Sequence, residues 1–521
     1  MSTPHIAPSS AHAPGEDAKP ITGAPLRRKY IGLAVGVVLA VIVYSIMPTQ
    51  LSEVLSTASA EAVENGKPEF TAHGLAVTAA IAVLMGVWWM TEAIPLAATA
   101  LVPLVAFPVL QVSSFSDTSG PYASKIIFLF MGGFFLALAL QRWNLHRRVA
   151  LKTVLLIGAK PKQLILGFMV ATGFLSMWVS NTATAVMMLP IGLSLLSLMG
   201  EMKTDADGKI RSNFAIALVL GIAYSASIAS LSTLIGTPPN TLLKGYLETN
   251  HGITIDFGTW MLVGVPLAWS FVFIAWWLLT SVIFKPEIDE IPGGRALIRE
   301  ELNKMGPMSR GEKRVGIVFI LAALSWIILP YFLKDYGVND SVIAMAITLV
   351  LFITPVDGAN GITLLDWDTA KRIPWDVLLL FGGGLALSNQ FTATGLSLWI
   401  GERAEGLAGL PVILFVVAIT ALIIFLTEMT SNTATAAAFL PIMGGVAIGV
   451  GQNVLLLVIP VALAATCAFM LPVATPPNAI AYGSGYIRIN DMVRGGLWLN
   501  LIGVVLITLV TMTLASWVFA I

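Results

Sequence analysis

The sequence predicts an all-α polytopic membrane protein with eleven transmembrane helices plus two re-entrant helical hairpins, built as an inverted repeat. Three observations predict this fold. Of the 521 residues, 57% are hydrophobic and only 11% are charged, whereas a soluble chain is about 25% charged. Apolar stretches of about 20 residues, the length that spans a bilayer, recur along the chain. Short polar motifs occur twice in the same order, which indicates that one half copies the other.

This composition excludes several classes of protein. A soluble domain this apolar could not cover its own surface, so we exclude a soluble enzyme, a disordered scaffold and a nucleic-acid binder. The formal net charge is zero, so no global field attracts charged partners. A single cysteine, Cys467, rules out an internal disulfide and a cysteine-based metal site. The sequence contains no P-loop and no HExxH motif, so it predicts neither an enzyme nor an ATP-driven pump.

Apolar runs and their interruptions divide the chain into segments. Residues 1–26 lack the apolar core of a cleavable signal and predict a disordered cytoplasmic tail. The predicted spans are 30–47, 73–92, 94–111, 123–141, 213–235, 259–284, 315–333, 340–356, 375–397, 452–473 and 494–520. The predicted segments are a first transmembrane helix at 27–57, a first repeat at 73–284 with a hairpin at 163–199, a cytoplasmic linker at 285–314, and a second repeat at 315–521 with a hairpin at 411–447.

The distribution of lysine and arginine predicts the topology. If the N-terminus is cytoplasmic and both hairpins return to the side they enter from, most of the 29 basic residues lie in cytoplasmic segments. Segment 142–160 alternates basic and apolar residues and predicts either a helix on the cytoplasmic surface or a solvated connection. The C-terminus would then lie outside, in a bacterial inner (plasma) membrane.

Four motif pairs reveal the internal repeat. Ser180-Asn-Thr-Ala-Thr-Ala185 recurs at 431–436, Leu189-Pro-Ile191 at 440–442, and Phe130-Met-Gly-Gly133 as Phe381-Gly-Gly-Gly384, all offset by 251 positions. Thr237-Pro-Pro-Asn240 recurs at 475–478. Five crossings separate equivalent points, so the halves are predicted to sit upside down relative to each other. Inverted repeats with interrupted helices are typical of secondary transporters that bind substrate where the repeats meet.

The two Ser-Asn-Thr segments are the predicted hairpin tips. A helix that begins at a tip presents free N–H groups, which suit an anion, and a helix that ends there presents carbonyls, which suit a cation. The alternative is that Ser-Asn-Thr caps a kinked helix. The Pro-Pro pairs break two further helices and free carbonyls beside Gly236 and Ala474; here the alternative is a kink needed for packing.

Charged residues near these motifs are few. Neither motif pair contains lysine or arginine, so an anion would need hydroxyls, amides, helix ends and co-bound cations. Glu428 is the acid beside a tip, and its counterpart is Met177; it is either functional or hydrogen-bonded within its hairpin. Lys125, Lys244 and Glu92 lie near predicted helix ends, where such side chains usually extend to the interface.

At these residues the sequence resembles the divalent-anion:sodium symporter family, the INDY-type carriers of dicarboxylates, citrate and, in some members, sulfate. The resemblance spans about residue 27 to the C-terminus. It implies a homodimer, with each protomer divided into a scaffold and a transport domain. It also implies an elevator motion that carries the site across the lipid bilayer.

The resemblance also implies site residues and at least two Na⁺ sites. The first sodium site would use Ser176, Ser180, Asn181 and the Gly236 carbonyl, and the second Thr427, Thr430, Asn432 and the Ala474 carbonyl. Substrate carboxylates would meet Asn181, Thr182, Thr237, Ser431, Asn432, Thr433, Thr475 and Pro476.

Three functional hypotheses follow. The first is a secondary transporter for Na⁺-coupled uptake of C4 dicarboxylates such as succinate, malate or fumarate. The second is a dicarboxylate exchanger (an antiporter), with citrate or sulfate as other possible substrates of the same site. The third, from a different class, is a membrane sensor that keeps a carrier fold without transport; two intact sodium-type sites argue against it.

Overall fold

The computed structural model describes residues 23–158, 160–197, 212–288 and 293–521, and most of these are helical. Of the predicted tail 1–26, residues 1–22 lie outside the described part, and the first helix already begins at Ala24. Among the described residues, strand structure is confined to one antiparallel pair, in which β1 (Pro355–Asp357) pairs with β2 (Ile362–Thr363).

The helices follow one another with short connections. Those up to residue 288 are α1 Ala24–Ile46, α2 Glu53–Glu64, α3 Ala72–Thr91, α4 Leu96–Thr99, α5 Val102–Val109, α6 Phe115–Ser119, α7 Lys125–Arg142, α8 Leu145–Ile157, α9 Pro161–Ser176, α10 Asn181–Ser197, α11 Asn213–Ala229, α12 Pro238–His251 and α13 Phe257–Trp277. The later ones are α14 Gly294–Lys304, α15 Arg310–Leu333, α16 Asp340–Ile353, α17 Trp367–Ala370, α18 Trp375–Ala393, α19 Leu396–Ala404, α20 Val412–Thr427, α21 Asn432–Gly449, α22 Val454–Ala465, α23 Pro476–Gly483, α24 Ile489–Val510 and α25 Ser516–Phe519. Short 3₁₀ turns occupy Gly120–Ala123, Ser230–Ser232, Lys334–Tyr336 and Glu405–Leu407, and π-helical segments occupy Leu278–Ile283 and Thr511–Ala515.

The polytopic, all-α architecture is confirmed, while the count of eleven spans stays a prediction. Within the described residues, eight helices are long and apolar enough to cross a membrane, or nine if the bent pair Trp375–Ala393 and Leu396–Leu407 is one span. One of the eight is α21, which the sequence predicts as a hairpin arm. The predicted spans at 94–111, 340–356 and 452–473 correspond to helices of 10–17 residues.

Two predicted boundaries differ from the observed ones. The first transmembrane helix ends at Ile46 rather than at residue 57, because Met47 is extended and Pro48 cannot continue the helix. Ser52 then starts α2, accepting a hydrogen bond from the Leu55 amide at 3.2 Å. The predicted linker 285–314 contains α14 and the first turn of α15.

Each predicted interruption falls between two helices. The segment 177–180 separates α9 from α10, and the segment 428–431 separates α20 from α21; α9 and α20 have 16 residues each. The helices α12 and α23 both begin at the first proline of a Pro-Pro pair. Proline suits the first helical position because its missing N–H would have no intrahelical partner there.

Contacts between the halves relate the positions of equivalent helices. At the end of α7, the Trp143 indole donates to the Leu364 carbonyl at 2.9 Å, and Arg142 pairs with Asp366. Residues 364–366 lie just before the short helix α17, and α18, the repeat equivalent of α7, follows it after four residues. The end of α7 therefore lies against the segment that leads into α18.

The segment predicted as the second hairpin, 411–447, has its two ends near each other. Gly449, at the end of α21, lies against Gly401 of α19, and a Cβ on Gly449 would stand 2.0 Å from the Gly401 carbonyl oxygen. Because only residues 405–411 separate α19 from α20, the two ends of segment 412–449 lie near each other.

Residues from corresponding segments of the two halves meet at the centre. The rings of Phe130 and Phe381, which are 251 positions apart, are 5.0 Å apart. The hydroxyls of Thr237 and Thr466, which belong to the two Pro-Pro breaks, are 3.2 Å apart. Beside them, every residue of α11 from Phe214 to Ala229 is buried. The core of the fold therefore lies where the duplicated segments touch.

Candidate substrate and ion site

The duplicated motifs line one central cavity of about 990 Å³. Both tips and both breaks contribute to its wall. Exposed charged residues line its outer part: Arg28, Glu92, Arg372 and Asp376. Gln141, near the end of α7, lines it as well. The cavity therefore opens on the side where α7 ends and α18 begins.

The structure brings the predicted substrate-binding residues together. All eight line this cavity: Asn181, Thr182, Thr237, Ser431, Asn432, Thr433, Thr475 and Pro476. They come from four separate segments of the chain, and their polar groups are hydroxyls and amides. Their role in binding stays a prediction.

The predicted sodium ligands divide into two groups. Six line the cavity: Ser180, Asn181, Gly236, Thr430, Asn432 and Ala474. The other two, Ser176 and Thr427, are fully buried behind it. Ser176 Oγ donates to the Ala226 carbonyl at 2.6 Å, and Thr427 Oγ1 lies 2.9 Å from the Ala465 carbonyl. Each hydroxyl thus contacts the end of the helix that precedes a Pro-Pro break.

The first tip has helix-capping contacts. Ser180 Oγ accepts from the Ala183 amide at 3.3 Å, and Asn181 Oδ1 accepts from the Thr182 amide at 3.2 Å. The capping alternative therefore describes part of what these side chains do. Both oxygens keep a free lone pair, so capping and ion binding are compatible here.

The second tip is held by side chains. Thr427 Oγ1 lies 2.9 Å from Asn432 Oδ1, and the hydroxyls of Thr430 and Thr435 are 2.7 Å apart. Thr430 Oγ1 also lies 3.0 Å from the Leu426 carbonyl. These contacts fix the positions of three predicted ligand oxygens relative to one another.

The two breaks are held by equivalent asparagines, both fully buried. Asn240 Nδ2 donates to the carbonyls of Leu231 and Thr233 at 3.1 and 2.9 Å. Asn478 Nδ2 donates to those of Ala468 and Leu471, both at 3.1 Å. Some carbonyls that the sequence offers to a cation are therefore already satisfied by the Asn of Pro-Pro-Asn, which leaves Gly236 and Ala474 at the cavity wall.

One acid, Glu428, and one base, Lys244, have partners that the sequence did not predict. The Glu428 carboxylate accepts hydrogen bonds not from its own hairpin but from the backbone amides of the second break and from Asn500. Lys244 does not extend to the interface, because its side chain is buried and pairs with Asp340 of α16. Neither partner lies near in sequence, so only the tertiary fold could identify these pairs.

An apolar wall of the cavity was not assigned from sequence. Phe130, Phe134 and Leu380 line it, on α7 and α18. The duplicated motif that begins with Phe130 was the available signal. Its side chains are apolar, in contrast to the hydroxyls and amides of the four motifs that line the same cavity.

Comparisons with known proteins agree on one family. A family model described as the sodium:sulfate symporter transmembrane region matches residues 67–521. The sodium-dependent dicarboxylate transporter SdcS of Staphylococcus saprophyticus is 46% identical over 437 residues, covering 83% of this chain and 84% of that protein. The SdcS protein of Staphylococcus aureus strain USA300 is 45% identical with the same coverage.

Solved structures share the fold. The YdaH transporter of Alcanivorax borkumensis aligns with a TM-score of 0.54 at 11% identity, covering 95% of this chain and 98% of that one. The efflux pump MtrF of Neisseria gonorrhoeae aligns with a TM-score of 0.53 at 12% identity, covering 96% of each chain. At these identities the likeness concerns the fold alone.

Proposed function

Because the chain belongs to the sodium:sulfate symporter family, the divalent-anion:sodium symporters that its motifs resemble, we propose that it imports C4 dicarboxylates with Na⁺. The proposed substrates are succinate, malate and fumarate. The observation that carries this proposal is the convergence of both hairpin tips and both Pro-Pro breaks on one cavity. The names of the SdcS relatives, sodium-dependent dicarboxylate transporters, support the same substrate class.

The lining chemistry supports coupling to a cation. Of the described residues that line the cavity, none is a lysine, and the two arginines, Arg28 and Arg372, lie in its outer part. A dicarboxylate carries two negative charges that hydroxyls and amides do not neutralise. Two Na⁺ ions, one beside each tip, would offset that charge.

Each ion site would use one half of the repeat. The first is proposed at Ser176, Ser180, Asn181 and the Gly236 carbonyl, and the second at Thr427, Thr430, Asn432 and the Ala474 carbonyl. The substrate carboxylates would bind between them, at Asn181, Thr182, Thr237, Ser431, Asn432, Thr433, Thr475 and Pro476. Hydroxyl, amide and carbonyl oxygens are ligands that suit a hard cation.

The transport cycle is proposed to be of the elevator type. Two re-entrant hairpins would enter from opposite faces of an inverted repeat, and the transport domain that holds them would slide along the scaffold. A homodimer in a bacterial plasma membrane, with the N-terminus cytoplasmic and the C-terminus outside, completes the proposal. In that orientation the cavity described above faces the cytoplasm.

Uptake into proteoliposomes tests the proposal. The purified protein is reconstituted in dicarboxylate-free buffer, and radiolabelled succinate uptake is compared under an inward Na⁺ gradient and a choline gradient. We expect uptake with Na⁺ only. Uptake that requires succinate inside and ignores Na⁺ would instead establish an exchanger.

Two alanine variants test the site. Asn181→Ala and Asn432→Ala should each reduce Na⁺-driven uptake to the level of empty liposomes, because each removes an amide from both the substrate site and an ion site. Asn65→Ala is the matched control, since Asn65 is exposed and its amide bonds only the Glu61 carbonyl. Normal uptake by both site variants would overturn the assignment.

A further inference from the structure

Glu428 contacts a stretch of backbone far from it in sequence. Its Oε1 accepts hydrogen bonds from the amides of Phe469 and Met470 at 2.7 and 2.9 Å and from Asn500 Nδ2 at 2.7 Å. Its Oε2 accepts from the Leu471 amide at 3.0 Å. The residue is 3% exposed. One side chain therefore satisfies three consecutive backbone N–H groups.

Those three groups belong to the non-helical break between α22 and α23. Inside a membrane, a backbone N–H without a partner costs several kcal/mol, so such a break persists only where protein satisfies it. Asn478 satisfies carbonyls of the same segment, those of Ala468 and Leu471. The Leu471 peptide unit is therefore held at its N–H by Glu428 and at its carbonyl by Asn478.

The held segment leads directly to the cavity. The Leu471 carbonyl also accepts from the Ala474 amide at 3.2 Å, and Pro472, Val473 and Ala474 line the cavity. Glu428 itself follows Thr427 in sequence, and it lies on the second hairpin. Glu428 thus connects the hairpin that carries one set of proposed sodium ligands to the backbone that carries another.

We propose that Glu428 is a positioning residue for the second sodium site. From its place on the second hairpin, its carboxylate holds the backbone of residues 469–471 in the second break. It thereby orients the Ala474 carbonyl towards Thr427 and Asn432. The inference rests on the proposed Na⁺-coupled function. It assigns Glu428 no contact with substrate or ion.

In the first half, the hairpin contacts its neighbouring break without an acidic side chain at the position of Glu428. Met177 stands at the position of Glu428, and its backbone carbonyl accepts from Thr233 Oγ1 at 2.6 Å. Trp260 Nε1 donates to the Leu231 carbonyl at 3.1 Å. Side-chain donors hold carbonyls in both breaks, and among the described residues only the second break also has a carboxylate that holds backbone amides. The two sodium sites are therefore built differently, and only the second should depend on an acid.

Two substitutions separate geometry from charge. Glu428→Asp keeps the charge but shortens the side chain by one methylene, so it cannot reach all three amides. Glu428→Gln keeps the length but places an N–H₂ against one backbone N–H. If position matters, both variants should raise the Na⁺ concentration for half-maximal succinate uptake about tenfold, a loss comparable to one charge-assisted hydrogen bond. Met177→Leu is the matched control and should leave that concentration unchanged.

Cys467 provides a second readout that does not depend on transport. It is the chain's one cysteine, it lies at the start of the break, and it is fully buried. In monodisperse detergent-purified protein, Glu428→Asp and Glu428→Gln should raise the rate of maleimide labelling at Cys467 about tenfold. Added NaCl should slow that labelling towards the wild-type rate, relative to choline chloride.

Each combination of the two readouts either supports or overturns the proposed role of Glu428. The inference is supported if both variants raise the Na⁺ concentration for half-maximal uptake and also raise the rate of maleimide labelling at Cys467. The inference is overturned if only Glu428→Gln raises the Na⁺ concentration for half-maximal uptake, because that would indicate a role for charge. It is also overturned if both variants lose folded protein and maximal uptake rate while that Na⁺ concentration is unchanged. Wild-type uptake that ignores Na⁺ would overturn the proposed function itself, and this is measured separately from the variants.

Discussion

At the scale of single residues, one buried hydroxyl links each hairpin to the helix beside it. Ser176 and Thr427 occupy equivalent positions, and each contacts the end of a helix that precedes a break. A hydroxyl has one proton and two lone pairs. Once its proton is donated to a carbonyl, the lone pairs remain for a cation. The buried hydroxyl can therefore be both a structural contact and an ion ligand.

Removing the hydroxyl of Thr427 tests its proposed role. Thr427→Val keeps the shape but removes the oxygen, so we expect the Na⁺ concentration for half-maximal uptake to rise at least about tenfold, or about 1.4 kcal/mol of lost binding. Thr427→Ser, which keeps the oxygen, should stay within about threefold of wild type. The measurement is succinate uptake against external Na⁺.

Thr420→Val is the control for that prediction. Thr420 is equally buried on the same helix, and its hydroxyl donates to the Val416 carbonyl at 2.6 Å within the helix. Its loss should not change Na⁺ dependence. If Thr427→Val behaved as Thr420→Val does, the hydroxyl of Thr427 would have no role in ion binding.

At the scale of elements, the second hairpin depends on close helix packing. The helices α19 and α21 meet at glycines, and small residues allow such close approach between membrane helices. The contact places the end of the hairpin beside its beginning.

A methyl group at this contact should be destabilising. Gly449→Ala would place a Cβ 2.0 Å from the Gly401 carbonyl oxygen, which the backbone can accommodate only by shifting. We expect a loss of about 1–3 kcal/mol of stability, the usual cost of overpacking. Thermal unfolding in detergent measures it. Gly409→Ala, where a Cβ meets no atom within 4 Å, should unfold as wild type does; equal melting of the two variants would contradict the role of this contact.

At the scale of the whole molecule, two ion pairs connect α12 to its surroundings. Lys244 pairs with Asp340 of α16, and Glu248, one turn later, pairs with Lys125 of α7 at 2.5 Å. Ser341 Oγ, next to Asp340, donates to the Lys125 carbonyl at 2.6 Å. The pairs lie at the start of α7, whereas the cavity opens at its end. They therefore join the helices on the side away from the opening.

Removing one partner of the buried Lys244–Asp340 pair should cost more stability than replacing both partners with apolar residues. The side chains of Lys244 and Asp340 are 5% and 2% exposed. Asp340→Asn leaves the Lys244 charge buried and unpaired, so we expect a loss of about 3–5 kcal/mol. The double variant Lys244→Met/Asp340→Leu should recover much of that loss, because no charge remains buried. Unfolding in detergent of Asp340→Asn, of the single variants Lys244→Met and Asp340→Leu and of their double variant measures the coupling.

An exposed pair is the control for this comparison. Lys371 and Asp368 are 59% and 82% exposed, and such a pair contributes at most about 1 kcal/mol. Lys371→Met should therefore leave the unfolding temperature nearly unchanged. A loss in Asp340→Asn no larger than in Lys371→Met would show that the buried pair does not hold the helices together.

The sequence by itself determined the class of the protein, its helix breaks and its family. Low charge and long apolar runs predict a membrane protein because the bilayer excludes exposed polar backbone. The duplicated Ser-Asn-Thr and Pro-Pro-Asn motifs predict the breaks because each has a local physical effect on the helix that contains it. The same motifs predict that the candidate site lies between the halves. In the structure they do line one cavity.

Only the tertiary structure decided which distant groups meet. Glu428 and the amides of residues 469–471, Lys244 and Asp340, and the apolar wall at Phe130 and Leu380 are brought together by helix packing. No local periodicity encodes such contacts, because they depend on how helices far apart in sequence are rotated and tilted against one another. The sequence counts 340–356 and 452–473 as spans, whereas the structure forms only the shorter helices α16 and α22 there. The helix α22 is buried from Leu455 to Ala465, so its length is not set by the bilayer alone.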